Sequence, residues 1–347
     1  MAKITVSPFE KTIDGHDTKL YTIKNNKGAS LVLTDYGASI YSINVFDKTG
    51  NLKDVVLAYN HISGYETGDT YFGQTVGRCA NRIAKGCFNL NGKTYRLNIN
   101  NGENHLHGGI KSFSKRVWNT KINADSITFS TVSDDNEENY PGKMEVKVTY
   151  SFSEDNIVDI EYEAVSDKDT ICNITNHSYF NLDGHETNSI YDQYIKINSD
   201  KYLPIDVNSI PTGENLSVKN TPFDFTSYKK IGDCFIKGNK QLDIANGFDH
   251  TFPLEKSSKL KIAASAYSEK SGIKFECKTT QLGLHLYTGN YVDVSEGKDG
   301  TSYLNRSGFS FEAQNYPDAI NHENFPNVVL KAKEKYSQKI QFAFSRL

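Results

Sequence analysis

Apolar and polar residues alternate with a period of two along much of this chain, the pattern of strands with one face on a core and the other in water. Met144, Val146, Val148, Tyr150 and Phe152 alternate with charged or polar neighbours, and Val158, Ile160, Tyr162 and Ala164 repeat the pattern. Glu154-Asp155-Asn156 between them predicts a hairpin turn. Further alternating runs are Ile127-Phe129-Thr131, Leu260-Ile262-Ala264-Ala266, Ile273-Phe275-Cys277 and Ile340-Phe342-Phe344. Turn chemistry joins them at 268–272 and 297–300. Helical periodicity is nearly absent. The best candidates are short stretches near Asp54–Gly64 and Phe223–Ile231, too few to alternate with strands as in a doubly wound α/β enzyme. With no internal repeat, low-complexity segment or Pro-rich linker, the pattern predicts an all-β fold. The expected form is a large single-domain β-sandwich over residues 1–347.

Composition supports strands: aromatics reach 12%, with 21 Tyr and 19 Phe, residues that pack well on a half-buried pleated surface. The net charge of −3 is spread without a basic stripe, so nothing points to nucleic acid. The segment Met1–Glu10 lacks the apolar run of a secretory signal, and no apolar stretch of membrane-spanning length follows. Five cysteines, at 79, 87, 172, 234 and 277, form no C-x-x-C pair, which argues against a disulfide framework or a zinc site. The expected setting is the cytoplasm, with no membrane partner. Four N-x-S/T triplets, at Asn173, Asn176, Asn215 and Asn305, then read as chance matches in an Asn-rich chain.

Two motif-like segments dissolve under inspection. Gly86 to Thr94 suggests a phosphate-binding loop, but Phe88 sits inside it and the following Tyr95-Arg96-Leu97 reads as strand. A phosphate cradle needs a helix N-terminus there, so a β-hairpin on Asn91-Gly92 is expected instead. His105 and His107 have a metal-ligand spacing, but Gly108-Gly109 follows where a cupin-type site would want a Glu. A polar loop meeting a ligand or the backbone is the simpler reading, and no metal is expected.

Polar residues cluster where no turn or solvated face demands them: Gly77–Ile83, Asn104–Gly109, Thr175–Leu182, Gly247–His250, Gly283–Asn290 and Phe309–Ala319. Singly, each is ordinary. Glu312 could point outward from a strand, His177 could be a satisfied core histidine, and Asp249 could cap a turn. Together they supply the amides, carboxylate, Arg and imidazoles that bond sugar hydroxyls, and aromatics to pack on a sugar's C–H face. They also offer a carboxylate and an imidazole, a general base and acid near neutral pH.

The phrases Gly-Arg-x-Ala-Asn-Arg-Ile, His-Leu-His-Gly-Gly, Thr-Asn-His-Ser-Tyr-Phe-Asn-Leu, Gly-Phe-Asp-His and Glu-x-Gln-x-x-Pro-Asp-Ala resemble, in that order, those of the galactose mutarotase (aldose 1-epimerase) family. The resemblance runs from about residue 30 to the end. It implies a supersandwich fold and interconversion of the α and β anomers of hexoses such as galactose and glucose. No cofactor is implied, and the protein would act as a monomer or homodimer. Residue by residue it implies Glu312 as general base and His177 as general acid, with Asn81, Arg82, His107 and Asp249 on sugar hydroxyls. Ser178 and Tyr179 would lie beside the acid. One departure matters: the family commonly has a sugar-contacting Gln where this chain has His285, which would bind with altered preference.

In the implied reaction Glu312 takes the proton of the C1 hydroxyl while protonated His177 gives one to the ring oxygen. The aldehyde then turns and the ring recloses. Attraction to Glu312 is expected to raise the His177 pKa. Three rivals remain open: a hexose-phosphate epimerase using Arg78, Lys85 and Arg116, a glycoside hydrolase using Asp249 and Glu312, and a non-catalytic sugar-binding module.

Overall fold

The alternating runs become the longest strands of the computed structural model, which describes residues Lys3–Leu347. Met144–Phe152 and Ile157–Ser166 pair antiparallel, Met144 opposite Ser166 and Phe152 opposite Val158, with the turn at 153–156 as expected. They belong to a nine-stranded antiparallel sheet. Its order is Asn119–Ile122, Ser126–Ser133, Met144–Phe152, Ile157–Ser166, Lys335–Arg346, Ile273–Thr279, Lys261–Tyr267, Tyr194–Ile197 and Lys229–Lys230. The C-terminal strand therefore lies at the centre of this sheet.

Five strands from Lys3–Lys11 to Leu52–Asp54 form a second sheet, paired in chain order. A third sheet has three strands: Asp249–Pro253, Gly283–Tyr287 in the middle, and Ser310–Gln314. One hydrophobic core joins all three, drawing Ile23 and Leu33 from the second, Phe129 and Phe275 from the first, and Phe252, Leu286 and Phe311 from the third. Tyr21 meets Phe129 edge-on at 5.6 Å, and Phe275 stacks on Phe311 at 5.8 Å between ring centres. Full burial of one such side chain stabilises by roughly 1.5–3 kcal/mol, so these contacts hold sheet against sheet.

Three details depart from the pattern or refine it. The Leu260–Ala266 alternation breaks at a register shift between Ile262 and Ala264, which turns Ile262 out to solvent at 40% exposure while Ala264 and Ala266 stay buried. An extra residue in one strand reverses the facing of everything before it. The helix expected near Asp54–Gly64 forms only at Ile62–Thr67, and that near Phe223–Ile231 is replaced by a 3-10 turn at Ile231–Cys234. An unexpected helix, Lys240–Ala245, is capped by Asn239, whose side chain accepts from the amides of Gln241 and Leu242. The hairpin on Asn91-Gly92 forms as expected, both residues left-handed, between Cys87–Leu90 and Lys93–Arg96. Among the described residues no helix is long and apolar enough to cross a membrane.

Candidate active site

The three-stranded sheet shows how the site arises from alternation. Leu284, Leu286, Phe309, Phe311, Ala313 and Phe252 point into the core. Residues between them must face the other way, and these are Asp249, Thr251, His285, Tyr287 and Glu312. Cross-strand register sets Thr251, His285 and Glu312 side by side, with Asp249 opposite Tyr287 one pair further along. A cavity of about 280 Å³ opens above this face, lined by Asp249, His285, Tyr287 and Glu312 and by loops from elsewhere in the chain.

His177 is delivered by the segment after Thr175–Asn176. Its backbone amide donates to the Gln74 carbonyl at 2.9 Å, its carbonyl accepts from Gly73 at 3.0 Å, and Nδ2 of the Asn176 side chain donates to the Gly73 carbonyl at 2.8 Å. So fixed, its Nε2 lies 3.4 Å from Oε1 of Glu312, with both residues almost wholly buried. Tyr179 stacks on the His177 ring at 5.0 Å between centres. Ser178, between them, faces away: its hydroxyl donates to Oδ1 of Asn176 at 2.6 Å and it does not line the cavity. Two residues of an extended segment share a face, and the one between cannot.

A two-residue ribbon supplies the opposite wall, Arg82 paired with Leu106 and Ile83 with His105. It explains why the first two polar clusters accompany one another. The Asn81 amide donates to Nδ1 of His107 at 3.2 Å, and the His107 amide donates to the Asn81 carbonyl at 3.1 Å. Asn81, His107 and Tyr71 all have left-handed backbones, with φ of 62°, 52° and 56°. Such residues cluster where surrounding structure over-determines them, often around ligand sites. Gly108, also left-handed, cannot be replaced, because a Cβ there would fall on the Gly77 carbonyl oxygen.

Charge is concentrated around Asp249. Oδ1 of Asp249 lies 2.7 Å from Nε2 of His285, and its Oδ2 lies 3.6 Å from Nη1 of Arg82. Burial alone would raise the Asp249 pKa, but the His285 hydrogen bond and the Arg82 charge outweigh it and hold the carboxyl well below the usual range. For His177 the balance runs the other way. Burial pushes its imidazole down, and the opposing pull of Glu312 is too small to reverse this. Glu312 does pull His177 upward, but the expected net rise is corrected to a net fall, because desolvating a cation outweighs one carboxylate neighbour at this depth. His107 is pushed further down, by burial first and then by His177 and Arg82.

Ligand-type atoms of His107, His177 and Glu312 lie within 4.8 Å of one another, close enough to bracket a divalent ion. The His107 tautomer opposes ligation. Its Nδ1 accepts the Asn81 N–H, which leaves the ring proton on Nε2, so neither nitrogen has a free lone pair. The same arrangement makes His107 a hydrogen-bond donor toward the cavity.

Comparison with known proteins identifies the family. The family model for aldose 1-epimerase matches residues 19–343. The chain is 43% identical to a galactose mutarotase of Bos taurus over 314 residues, 90% of each chain. It is 40% identical to the Homo sapiens galactose mutarotase over 346 residues, 99% of each. The crystal structure of the GalM/aldose epimerase homologue from C. elegans superposes with a TM-score of 0.87 at 29% identity, covering 99% of this chain and 100% of that one. This chain belongs to the aldose 1-epimerase family.

Of the residues the sequence singled out, this aldose 1-epimerase family member brings Asn81, Arg82, His107, His177, Tyr179, Asp249, His285 and Glu312 to one cavity and leaves Ser178 outside. Sequence reasoning missed Tyr71, whose ring lies 4.7 Å from that of His107 and 6.0 Å from that of His177. It also missed Asn101, which accepts from Nε of Arg82 at 3.0 Å, and Tyr287. Tyr287 stands in a motif already noted. Tyr71 and Asn101 sit in loops without periodicity, where only the fold reveals what they face.

Proposed function

We propose that this aldose 1-epimerase interconverts sugar anomers with Glu312 as general base and His177 as general acid. The observation that carries the reading is their 3.4 Å approach inside a polar, aromatic-walled cavity. Oε2 of Glu312 and Nδ1 of His177 are buried and lack a protein partner. Unpaired buried polar atoms cost stability, so the pair keeps hydrogen-bonding capacity that the protein itself does not meet. Arg82, Asn81, His107 and Asp249 present donors and acceptors to ring hydroxyls, and Tyr71, Tyr179 and Tyr287 offer apolar faces.

In the reaction, Glu312 removes the C1 hydroxyl proton as the C1–ring oxygen bond breaks, and His177 in its protonated form delivers a proton to that oxygen. Rotation about C1–C2 turns the carbonyl, and the two groups reverse roles on reclosure. Because burial depresses His177, the working protonated state grows as pH falls from neutral. No proton leaves the pair on balance.

The lining favours an unphosphorylated sugar such as galactose or glucose. Its cation, Arg82, is occupied by Asp249 and Asn101. Arg78 is buried on the carbonyls of Ser133, Asp134 and Pro141, Arg116 pairs with Glu137, and neither Lys85 nor these two line the cavity. We take residues 1–347 as one domain acting on small sugars in the cytoplasm. Polarimetry of freshly dissolved α-galactose, α-glucose and glucose 6-phosphate tests the reading. The expected result is rapid decay for the first two, little acceleration for the third, and no release of nitrophenol from a nitrophenyl galactoside. An unaccelerated decay for every free sugar sinks it.

A further inference from the structure

His285 stands where the family resemblance leads one to expect a side chain on the sugar, yet both of its ring nitrogens are occupied by protein. Nε2 lies 2.7 Å from Oδ1 of Asp249, and Nδ1 lies 2.9 Å from Oγ1 of Thr251. A carboxylate only accepts, so Nε2 carries the proton and donates it to Asp249. The Thr251 hydroxyl, which can donate or accept, meets Nδ1. The amide nitrogen of Asn81 approaches Nε2 to 3.4 Å, but it meets a nitrogen already committed as donor. The ring is 3% exposed.

We propose that His285 is a positioning residue, acting on substrate through Asp249 rather than by touching it. Thr251, His285 and Glu312 form one cross-strand row. The ring leaves that row diagonally to reach Asp249 on the neighbouring strand, and Thr251 fixes its tilt from the same strand as Asp249. One carboxylate oxygen is thereby pinned by His285 while the other faces Arg82. Both rotation and ionisation of Asp249 are set before a sugar arrives. The lone pairs left over on Asp249 face the cavity, where a hydroxyl donor can use them. Preorganised in this way, Asp249 grips ground state and transition state alike, because the hydroxyl it would meet is not the one that loses its proton. Loss of uniform binding of this kind raises KM and leaves kcat nearly alone.

The inference rests on the mutarotase reading of this cavity. It predicts that His285→Ala raises KM for galactose by about tenfold, the scale of one lost charge-assisted hydrogen bond, with kcat within about threefold of wild type. His285→Gln, whose amide can still donate to Asp249, should recover most of the KM. Thr251→Val, isosteric but without the hydroxyl that meets Nδ1, should raise KM by about two- to threefold and serves if His285→Ala fails to fold. A double-mutant cycle decides the route: on an Asp249→Asn background, removing His285 should add nothing. If His285→Ala lowers kcat more than it raises KM, or the two losses add, the ring acts on its own and the inference is overturned. Wild-type protein without mutarotation would instead end the mutarotase reading, whereas active wild type with an unchanged KM in His285→Ala ends this inference alone.

Discussion

The two faces of the three-stranded sheet share the same backbone and differ in everything else. One face carries Phe252, Leu284, Leu286 and Phe311 into the continuous core, where Phe311 stacks on Phe275. The other carries Asp249, His285, Tyr287 and Glu312 into the cavity. Both are buried. The apolar face is satisfied by contact alone, whereas the polar face is satisfied partly by itself, through His285 and Asp249, and partly not at all, at Glu312 Oε2. The apolar side holds the strands still, and the polar side keeps hydrogen-bonding capacity that the protein itself does not meet.

Changes to one face should therefore leave the other nearly intact. Glu312→Gln and His177→Asn strike only the polar side. Each is expected to lower the enzymatic rate by about 10²–10⁴ while the thermal unfolding curve barely moves, as polarimetry and circular dichroism will measure. Phe311→Ala strikes the apolar side and should cost about 3–5 kcal/mol of stability. Chemical denaturation reads that loss, and the KM of the surviving folded fraction should stay near wild type. A collapse of stability in Glu312→Gln, or a selective loss of turnover in a still stable Phe311→Ala, breaks the division.

pH sharpens the same comparison more gently. Because burial depresses His177, kcat/KM should decline on the alkaline side with a midpoint below the usual histidine value of about 6.5. Asp249 raises the His177 pKa, so Asp249→Asn should move that midpoint lower still. An alkaline midpoint above that of free histidine contradicts the stated balance. A smaller effect concerns stability. His105, His107, His177, His185 and His250 are all held below their ordinary values by burial. Between pH 7 and pH 5 the unfolded chain gains protons at these sites that the folded chain refuses. Stability should fall as pH drops through this window, and melting curves at the two pH values check the sign.

The fold was legible in the sequence wherever strands were long and one-sided. Met144–Phe152 and Ile157–Ser166 announce themselves because each places a full apolar row on the core. Ile262 misled because a bulge leaves no trace in composition. The helix Lys240–Ala245 is too short to show a period, although its Asn239 cap is visible afterwards. The site was legible as clusters of polar residues in apolar surroundings, and His177, Glu312 and Asp249 meet in space. The division between His105 and His107 was not legible. His105 is tied to the Asn98 carbonyl at 2.6 Å and the Tyr140 hydroxyl at 2.7 Å, while His107 turns to the cavity through a left-handed backbone. Nothing in a two-residue spacing encodes that turn, and the same holds for the facing of Ser178.

The position of Lys335–Arg346 at the centre of the nine-stranded sheet bears on how the protein folds. Without that segment, Ile157–Ser166 and Ile273–Thr279 would each be left with an unpaired edge. Such edges invite pairing with foreign strands, and closing them requires contacts between residues far apart in sequence, which form slowly. Phe275, which supports Phe311 beneath Glu312, sits on one of those two edges. Support beneath Glu312 therefore depends on Lys335–Arg346 pairing with a strand about sixty residues earlier in the chain.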